Sequence, residues 1–227
     1  MNAEEIIKLC EGLSFKEKNG QACTLERVNG GVEIESIEEN VFTFYFSTLE
    51  DRQRILKGGP WSFDRAIILF EKSAGVGEIR DMGFKFVDFW VQIHNIPLLY
   101  LTEEIGLFLG NMIGVVHDVD LGAVVDGASH FLRIRVTIEV DQPLQRCLLV
   151  DLLDNGKITT MILRYEMLMD YCFRCDRIGH VMDECIRNVD VDRNVFTEAN
   201  RKLAVWLHAS SPSKRSFRGL GRVEPAH

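Results

Sequence analysis

Apolar residues in the first half of the chain follow a strand period and then a helix period. In residues 41–46 every second side chain is a phenylalanine, which predicts a strand whose aromatic face lies in a core. Ser47 and Thr48, followed by acidic residues, predict the start of a helix, and the Gly-Gly-Pro sequence at 58–60 predicts its end. The continuous apolar run at 66–70 predicts a buried strand. The side chains expected to face inward from the helix are Leu49, Ile55 and Leu56.

A second series of patterns fills residues 81–168. A helix is predicted from Thr102 to Gly114, since Thr102 precedes two glutamates and glycine ends helices. The order strand, helix, strand, strand is that of a ferredoxin-like sheet, the plan of RNA-recognition domains. Residues 143–149 are either the second helix of that plan or an edge element. Strands are predicted at 89–93, 115–119, 131–138 and 158–165.

Alternation along two of these strands places candidate binding residues on one face. In the predicted strand at 131–138, Leu132 and every second residue after it are apolar, and the opposite face carries an aromatic ring and two arginines. If the two strands are neighbours, that face forms a surface for stacking on bases and for binding phosphate. In the alternative, the aromatic residues are covered and the arginines pair with local acids. The candidate residues are Trp90, His94, Phe131, Arg133 and Arg135.

Potential metal ligands concentrate between residues 172 and 185, in the spacing Cys-x2-Cys-x4-His-x4-Cys. Three thiolates and one imidazole are donors typical of a tetrahedral Zn²⁺ site, and four protein ligands leave no position for water or substrate. A segment this short cannot bury a core of its own. The sequence therefore predicts one structural zinc ion, held by Cys172, Cys175, His180 and Cys185.

Residues between the ligands suggest a second role for this segment. Gly179 precedes the ligand histidine, where a tight turn needs positive φ. Phe173 and Met182 cannot be buried inside so small a unit, and we expect them at its surface, stacking on bases. Arg174 and Arg177 would hold the nucleic-acid backbone. In the alternative, Phe173 covers the metal site.

The same segment resembles the CCHC zinc knuckle of retroviral nucleocapsid proteins and of plant retrotransposon-derived proteins. The chain ahead of it is similar to the plant domain of unknown function that precedes that knuckle. The resemblance implies zinc-dependent nucleic-acid binding, to RNA or single-stranded DNA, and no enzymatic activity. The matching segments lie at residues 58–64, 89–97, 131–136 and 165–166, ahead of the knuckle at 172–185.

The predicted fold class is α+β, with two RRM-like half-domains of which the first is incomplete. The family pattern has another strand and helix before residue 41, and residues 20–37 look too short and too polar to supply them. The expected organisation begins with a weakly ordered segment at 1–35 that holds a helix at 3–13. A truncated half-domain at 36–80, a second half-domain at 81–168 and the knuckle at 169–188 follow. The C-terminal region at 189–227 is expected to hold a helix at 197–207, with Leu203 and Trp206 inward, and a flexible basic tail.

Charge and composition limit the partners of the chain. The net charge of −8 argues against coating nucleic acid with the whole surface, because phosphate binding needs basic side chains. Any basic contact surface must be local, as in the acid-free run between Arg201 and Arg222. No apolar run reaches the length of a membrane span, and the N-terminus lacks the pattern of a signal peptide. The expected location is intracellular, nuclear or cytoplasmic, with Cys10, Cys23 and Cys147 as free thiols.

The sequence thus predicts a non-enzymatic, zinc-dependent protein that binds single-stranded RNA or DNA, with no membrane and no small-molecule substrate. The alternative is a protein-protein interaction module that uses the apolar patch of the knuckle. Catalysis is not expected, because His94, His117 and Cys147 have no companion residue at a motif spacing. A nuclease would need clustered carboxylates for Mg²⁺, which the sequence does not offer.

Overall fold

The structure is a computed structural model that describes most of the chain between residues 32 and 186. The helix predicted at 3–13 lies outside the described residues. The same holds for the basic tail beyond Ser211 and for the helix predicted at 197–207, except for Trp206 and Leu207. The described residues are 14–15, 23–24, 32–38, 40–63, 65–72, 79, 82–121, 131–152, 156–186 and 206–211.

The first four strands among the described residues form two antiparallel pairs. β1 (Ser14–Phe15) pairs with β2 (Cys23–Thr24), and β3 (Val32–Glu38) pairs with β4 (Val41–Phe46). The prediction that residues 20–37 supply no strand is therefore wrong. Its glutamates made β3 look too polar, but Glu33 and Glu35 lie on its exposed face, and an antiparallel strand needs only one apolar face.

The first helix among the described residues, α1 (Leu49–Gly58), has the predicted ends. Thr48 caps it, since its Oγ1 atom accepts a hydrogen bond from the Asp51 backbone N–H at 3.1 Å. Leu49 is 59% exposed, so its predicted inward orientation is wrong. The side chains that α1 half-buries are Ile55 and Leu56.

A short hairpin follows α1. β5 (Trp61–Phe63) pairs with β6 (Ala66–Ile68), and the Trp61 indole N–H donates to the Ile55 carbonyl at 2.7 Å. The strand predicted at 66–70 is thus shorter than expected, and it is half-buried instead of buried. Its only strand partner among the described residues is β5, and Ile67 and Leu69 pack against the main core.

The main sheet is built from the second half of the chain. Its strands are β7 (Phe86–His94), β8 (Val115–Asp120), β9 (Phe131–Glu139), β10 (Cys147–Val150), β11 (Thr159–Glu166) and β14 (His208–Ala209). The central part of the sheet has the strand order β10-β11-β7-β9-β8, with every pair antiparallel. β14 pairs in parallel with the end of β11. For residues 143–149, the structure has the edge strand and not the helix.

A second helix, α2 (Glu103–Asn111), packs on one face of this sheet after a single 3-10 turn at Leu98–Tyr100. Thr102 caps it as predicted, accepting from the Ile105 backbone N–H at 3.3 Å. A Cβ atom on Gly110 would lie 2.6 Å from Val116 Cγ2. The glycine is therefore needed for α2 to approach β8 this closely.

The core lies between α2 and the apolar face of the sheet. β7 and β9 alternate as predicted, and they are central neighbours in the sheet. The side chains with no exposed surface include Phe89, Val91, Ile93, Leu109, Leu132, Ile134, Val136, Met161, Leu163 and Tyr165. None of the described helices is long and apolar enough to cross a membrane. The described chain is a mixed α+β structure, dominated by strands, with two α-helices and one six-stranded sheet.

A small hairpin with a 3-10 turn follows the sheet. β12 (Tyr171–Cys172) pairs with β13 (Arg177–Ile178), and the 3-10 turn spans Met182–Glu184. Tyr171 and Ile178 belong to the main core, at 4% and 8% exposed. The hairpin is therefore packed against the sheet on one side.

Candidate metal centre and its surroundings

The hairpin and the turn after it bring four potential metal ligands together. The Sγ atoms of three cysteines and a ring nitrogen of His180 all lie within 4.8 Å of one another. In a tetrahedral site with metal-sulfur bonds of about 2.3 Å, ligand atoms are about 3.8 Å apart. Small side-chain adjustments would therefore allow all four to bind one ion. The ligands are Cys172, Cys175, His180 and Cys185, as the spacing predicted.

Local backbone geometry fixes these ligands. The Asp176 N–H donates to the Cys172 carbonyl at 2.8 Å, which closes the turn between the first two cysteines. Gly179 has φ of +91°, confirming the predicted need for glycine before His180. The Cys185 N–H donates to the Met182 carbonyl at 3.3 Å. The three cysteine ligands thus lie in, or at the end of, a hydrogen-bonded turn or strand.

The sulfur atoms lie in a shielded position. All three cysteines are buried, and the Met182 side chain packs against them. Burial raises the pKa of the Cys172 thiol to about 11. A metal ion must therefore displace a proton from this sulfur when it binds, since the thiolate is the ligand.

Of the four predicted nucleic-acid contacts near the ligands, only one is fully open. Phe173 is half-buried, with its ring 4.9 Å from the Tyr171 ring in an edge-on contact. Arg177 Nε donates to the Asp141 carbonyl at 2.7 Å. Met182 is half-buried on the cysteines, which gives it the covering role considered for Phe173. Arg174 is exposed, and its side chain has no polar partner among the described residues.

On the sheet, Arg133 is held by two carboxylates. Its Nε and one terminal nitrogen each donate to a different oxygen of Glu166 at 2.9 Å, and its other terminal nitrogen donates to Asp120 at 2.9 Å. The guanidinium lies 3.8 Å from the centre of the Trp90 ring. The Arg133 side chain is only 14% exposed, so little of its charge reaches solvent.

Arg135 is held by the end of α1. It donates to the carbonyl oxygens of Lys57 and, at 3.0 Å, of Leu56, and it lies 3.4 Å from the Asp88 carboxylate. The C-terminal end of a helix carries partial negative charge, which favours a cation there. Arg135 therefore joins the first half of the chain to the main sheet.

The two remaining sheet candidates pack on each other. The ring centres of His94 and Phe131 are 4.9 Å apart, and Phe131 is 6% exposed. Burial, and then the charge of Arg164, lower the pKa of His94 to about 4. His94 is thus neutral at physiological pH and brings no positive charge to this face.

These five side chains are adjacent in the sheet, but they do not form the open surface that we expected. The alternative holds in part: both arginines have acidic partners and Phe131 is covered, whereas Trp90 is half-buried. Alternation predicts which residues share a face, but it cannot predict what lies on that face. Contact of these residues with nucleic acid stays a prediction.

Sequence reasoning missed the polar centre of this face. Glu166 is 1% exposed and accepts from Gln92 Nε2 at 2.8 Å as well as from Arg133. Gln92 Nε2 also donates to the Ser210 carbonyl at 2.9 Å. In the residue pattern, the sign of this centre was Glu166, an acid at the end of an apolar strand. A buried acid requires a charged partner.

The described residues 206–211 begin at the end of the predicted helix and continue as a strand. Trp206 is 55% exposed, so its predicted inward orientation is wrong, and Leu207 is buried instead. The backbone here turns into β14, and Arg164 donates to the carbonyls of Trp206 at 2.9 Å and His208 at 2.8 Å. A helical period cannot anticipate this change to extended backbone.

Comparison with known proteins gives one distant similarity. The chain is 26% identical over 122 residues to "Uncharacterized protein At4g02000" of Arabidopsis thaliana, a match that covers 49% of this chain and 38% of that protein. The chain thus spans well under half the length of that relative. No protein-family model matches the chain. No solved structure matches it either.

Proposed function

We propose that this chain is a zinc-dependent, non-enzymatic binder of single-stranded RNA or DNA, derived from a plant retrotransposon protein. The observation that carries the proposal is the convergence of four ligand atoms within 4.8 Å beside an exposed arginine. Arg174 lies between the first two ligands, so metal binding would fix the position of the arginine relative to the metal.

The donor set supports zinc as the metal. Three sulfurs and one nitrogen suit Zn²⁺ better than the oxygen-seeking Mg²⁺ or Ca²⁺. Cys172, Cys175, His180 and Cys185 would hold the ion, which would act by ordering the hairpin, in the manner of a zinc knuckle.

The strand order supports the ferredoxin-like part of the proposal. β11, β7, β9 and β8 lie side by side in that order and antiparallel, with α2 connecting β7 to β8. The fourth, first, third and second strands of a ferredoxin-like sheet have this arrangement. Along the chain, the edge strand β10 takes the position between β9 and β11 that the second helix has in that plan.

The knuckle, rather than the sheet, is the proposed contact for nucleic acid. Arg133 and Arg135 already have carboxylate and carbonyl partners, so a phosphate would have to displace them. The Arg174 side chain has no such partner among the described residues, and its charge is free to attract phosphate. Phe173, half-buried and adjacent to Arg174 in sequence, is the proposed ring for stacking on a base.

The test is binding of labelled single-stranded RNA and DNA to the full chain, followed by fluorescence anisotropy. We expect affinity with zinc, loss of affinity with a chelator, and weaker binding by Arg174→Gln. A plot of log affinity against log salt should lose about 0.7 of its slope in that variant, the value for one phosphate contact on a single strand. Arg52→Gln, which removes an exposed charge from α1, is the matched control.

A protein partner is the second candidate, and the charge of the knuckle favours it. Residues 169–188 hold three arginines against four acids, namely Asp170, Asp176, Asp183 and Glu184. Asp170 pairs with Arg65 and Asp176 pairs with Arg146, so the exposed acids Asp183 and Glu184 are the ones that oppose phosphate binding. If zinc-loaded protein fails to bind either nucleic acid at low salt, the nucleic-acid proposal is refuted and this second candidate remains.

A further inference from the structure

The metal-binding hairpin is fastened to the sheet through a residue that is not a ligand. Asp176 lies between Cys175 and β13, with φ of +59°. Its carboxylate accepts from Arg146 Nε at 3.1 Å and from the Tyr171 hydroxyl at 2.5 Å. Its carbonyl accepts from the Leu144 N–H at 2.6 Å. One residue thus uses its side chain and its backbone to hold the hairpin.

The other side of the same contact belongs to the main sheet. The Gln145 carbonyl accepts from the Tyr165 hydroxyl at 2.8 Å, and the Arg146 carbonyl accepts from the Leu163 N–H at 3.0 Å. Residues 144–146 are therefore hydrogen-bonded to β11 on one side and to Asp176 on the other. A second link, from Arg177 Nε to the Asp141 carbonyl, lies close by in sequence.

We propose that Asp176 and Arg146 are positioning residues of the metal site, through which metal binding stabilises the main sheet and not the hairpin alone. The inference rests on the proposed metal site. The Asp176 N–H also closes the turn onto Cys172 at 2.8 Å, so any shift of Asp176 moves the first two ligands. By linkage, a docked hairpin holds metal more tightly, and bound metal holds the hairpin docked.

The choice of residue at this position agrees with the proposal. Glycine meets no steric penalty at positive φ, and among other residues asparagine and aspartate tolerate it best. Aspartate keeps the turn and adds a carboxylate for Arg146. An asparagine in its place would keep the backbone tolerance and lose the charge, so Asp176→Asn isolates the docking contact from the turn itself.

The experiment compares zinc affinity, measured by chelator competition on the full chain, between Asp176→Asn and Asp183→Asn. Asp183 is an exposed acid two residues before the ligand Cys185, so it controls for the loss of one negative charge near the metal. We expect Asp176→Asn and Arg146→Gln to weaken zinc binding by about 5- to 100-fold. Asp183→Asn should stay within about 2-fold of the wild type.

Amide hydrogen exchange with and without zinc gives the second readout. In the wild type, zinc should slow exchange at Leu163 and at Leu144, outside the ligand segment. In Asp176→Asn, with enough zinc to saturate the site, that distant protection should be lost while the hairpin stays protected. Tyr171→Phe, which removes one hydroxyl and keeps the ring, serves where a stronger variant does not fold.

Two results would overturn the proposal. One is zinc protection that stops at residues 170–186 in the wild type, and the other is Asp176→Asn binding zinc as tightly as Asp183→Asn. None of these measurements contains nucleic acid, so the coupling can hold even where nucleic-acid binding fails. A wild-type chain that does not bind zinc would refute both proposals together.

Discussion

Replacement of Glu166 by glutamine tests how the polar centre of the sheet contributes to stability. Glu166 is 1% exposed and accepts three hydrogen bonds, two from Arg133 and one from Gln92. Hydrogen bonds to a charged group contribute about 1.5–3 kcal/mol each, and removing one member of a buried ion pair costs about 3–5 kcal/mol. Because glutamine keeps one accepting oxygen, and Asp120 still pairs with Arg133, we expect a loss of about 2–4 kcal/mol.

Asp120→Asn is the matched control, since both carboxylates bind the same arginine. Asp120 is 37% exposed, and exposed ion pairs contribute about 0–1 kcal/mol. Urea unfolding followed by circular dichroism measures both variants at one pH. The midpoint should fall clearly for Glu166→Gln and little for Asp120→Asn. Equal losses, or a Glu166→Gln loss below about 0.5 kcal/mol, would refute the view that burial sets the strength of this network.

Three further predictions address the fold. Folding lowers the pKa of His94 to about 4, so as the pH falls the unfolded chain binds a proton at His94 before the folded chain does. Stability should fall by about 1–2 kcal/mol, after allowance for solvent screening, as pH falls from 6.5 to 4, and His94→Gln should flatten that slope in urea titrations. Gly110→Ala places a Cβ 2.6 Å from Val116 Cγ2 and should cost about 1–3 kcal/mol in thermal unfolding. Gly83→Ala, whose nearest neighbour is at 3.5 Å, should be nearly neutral. Thr102→Ala removes the cap of α2 and should cost about 1 kcal/mol, whereas an unchanged urea midpoint would mean that the cap is not needed.

Periodicity and local signals account for most of the second half of the fold. Thr102 and the alternating residues of β9 each carry their information within a few positions, so the helix start and the buried face of the strand could be predicted. The ligand spacing predicted the metal cluster for the same reason, because the turns between ligands are short.

The features that could not be predicted depend on residues distant in sequence. Arg135 is bound by carbonyls of α1, and Ser210 reaches Gln92 only because the chain returns after the knuckle. Glu166 could be recognised as acidic but not as buried, since burial depends on three separate segments. In the first half of the chain, polar residues led to a wrong prediction. No strand was expected at β3 because of its glutamates, but Glu33 and Glu35 lie on its exposed face.

Because β14 pairs in parallel with β11, the metal hairpin lies in sequence between two strands of the main sheet and does not simply follow the last of them. Tyr165 pairs with His208 and Glu166 with Ala209, so the chain leaves the sheet and returns beside its point of departure. The pairing of β14 with β11 closes a loop of the chain that contains the metal hairpin. Because a shorter free loop loses less conformational entropy on closure, metal binding inside the loop would favour this pairing. A chain cut after residue 188 would keep every metal ligand but lose the strand that covers the end of β11. Such a fragment would have an open sheet edge, the structural feature from which strand-to-strand aggregation starts.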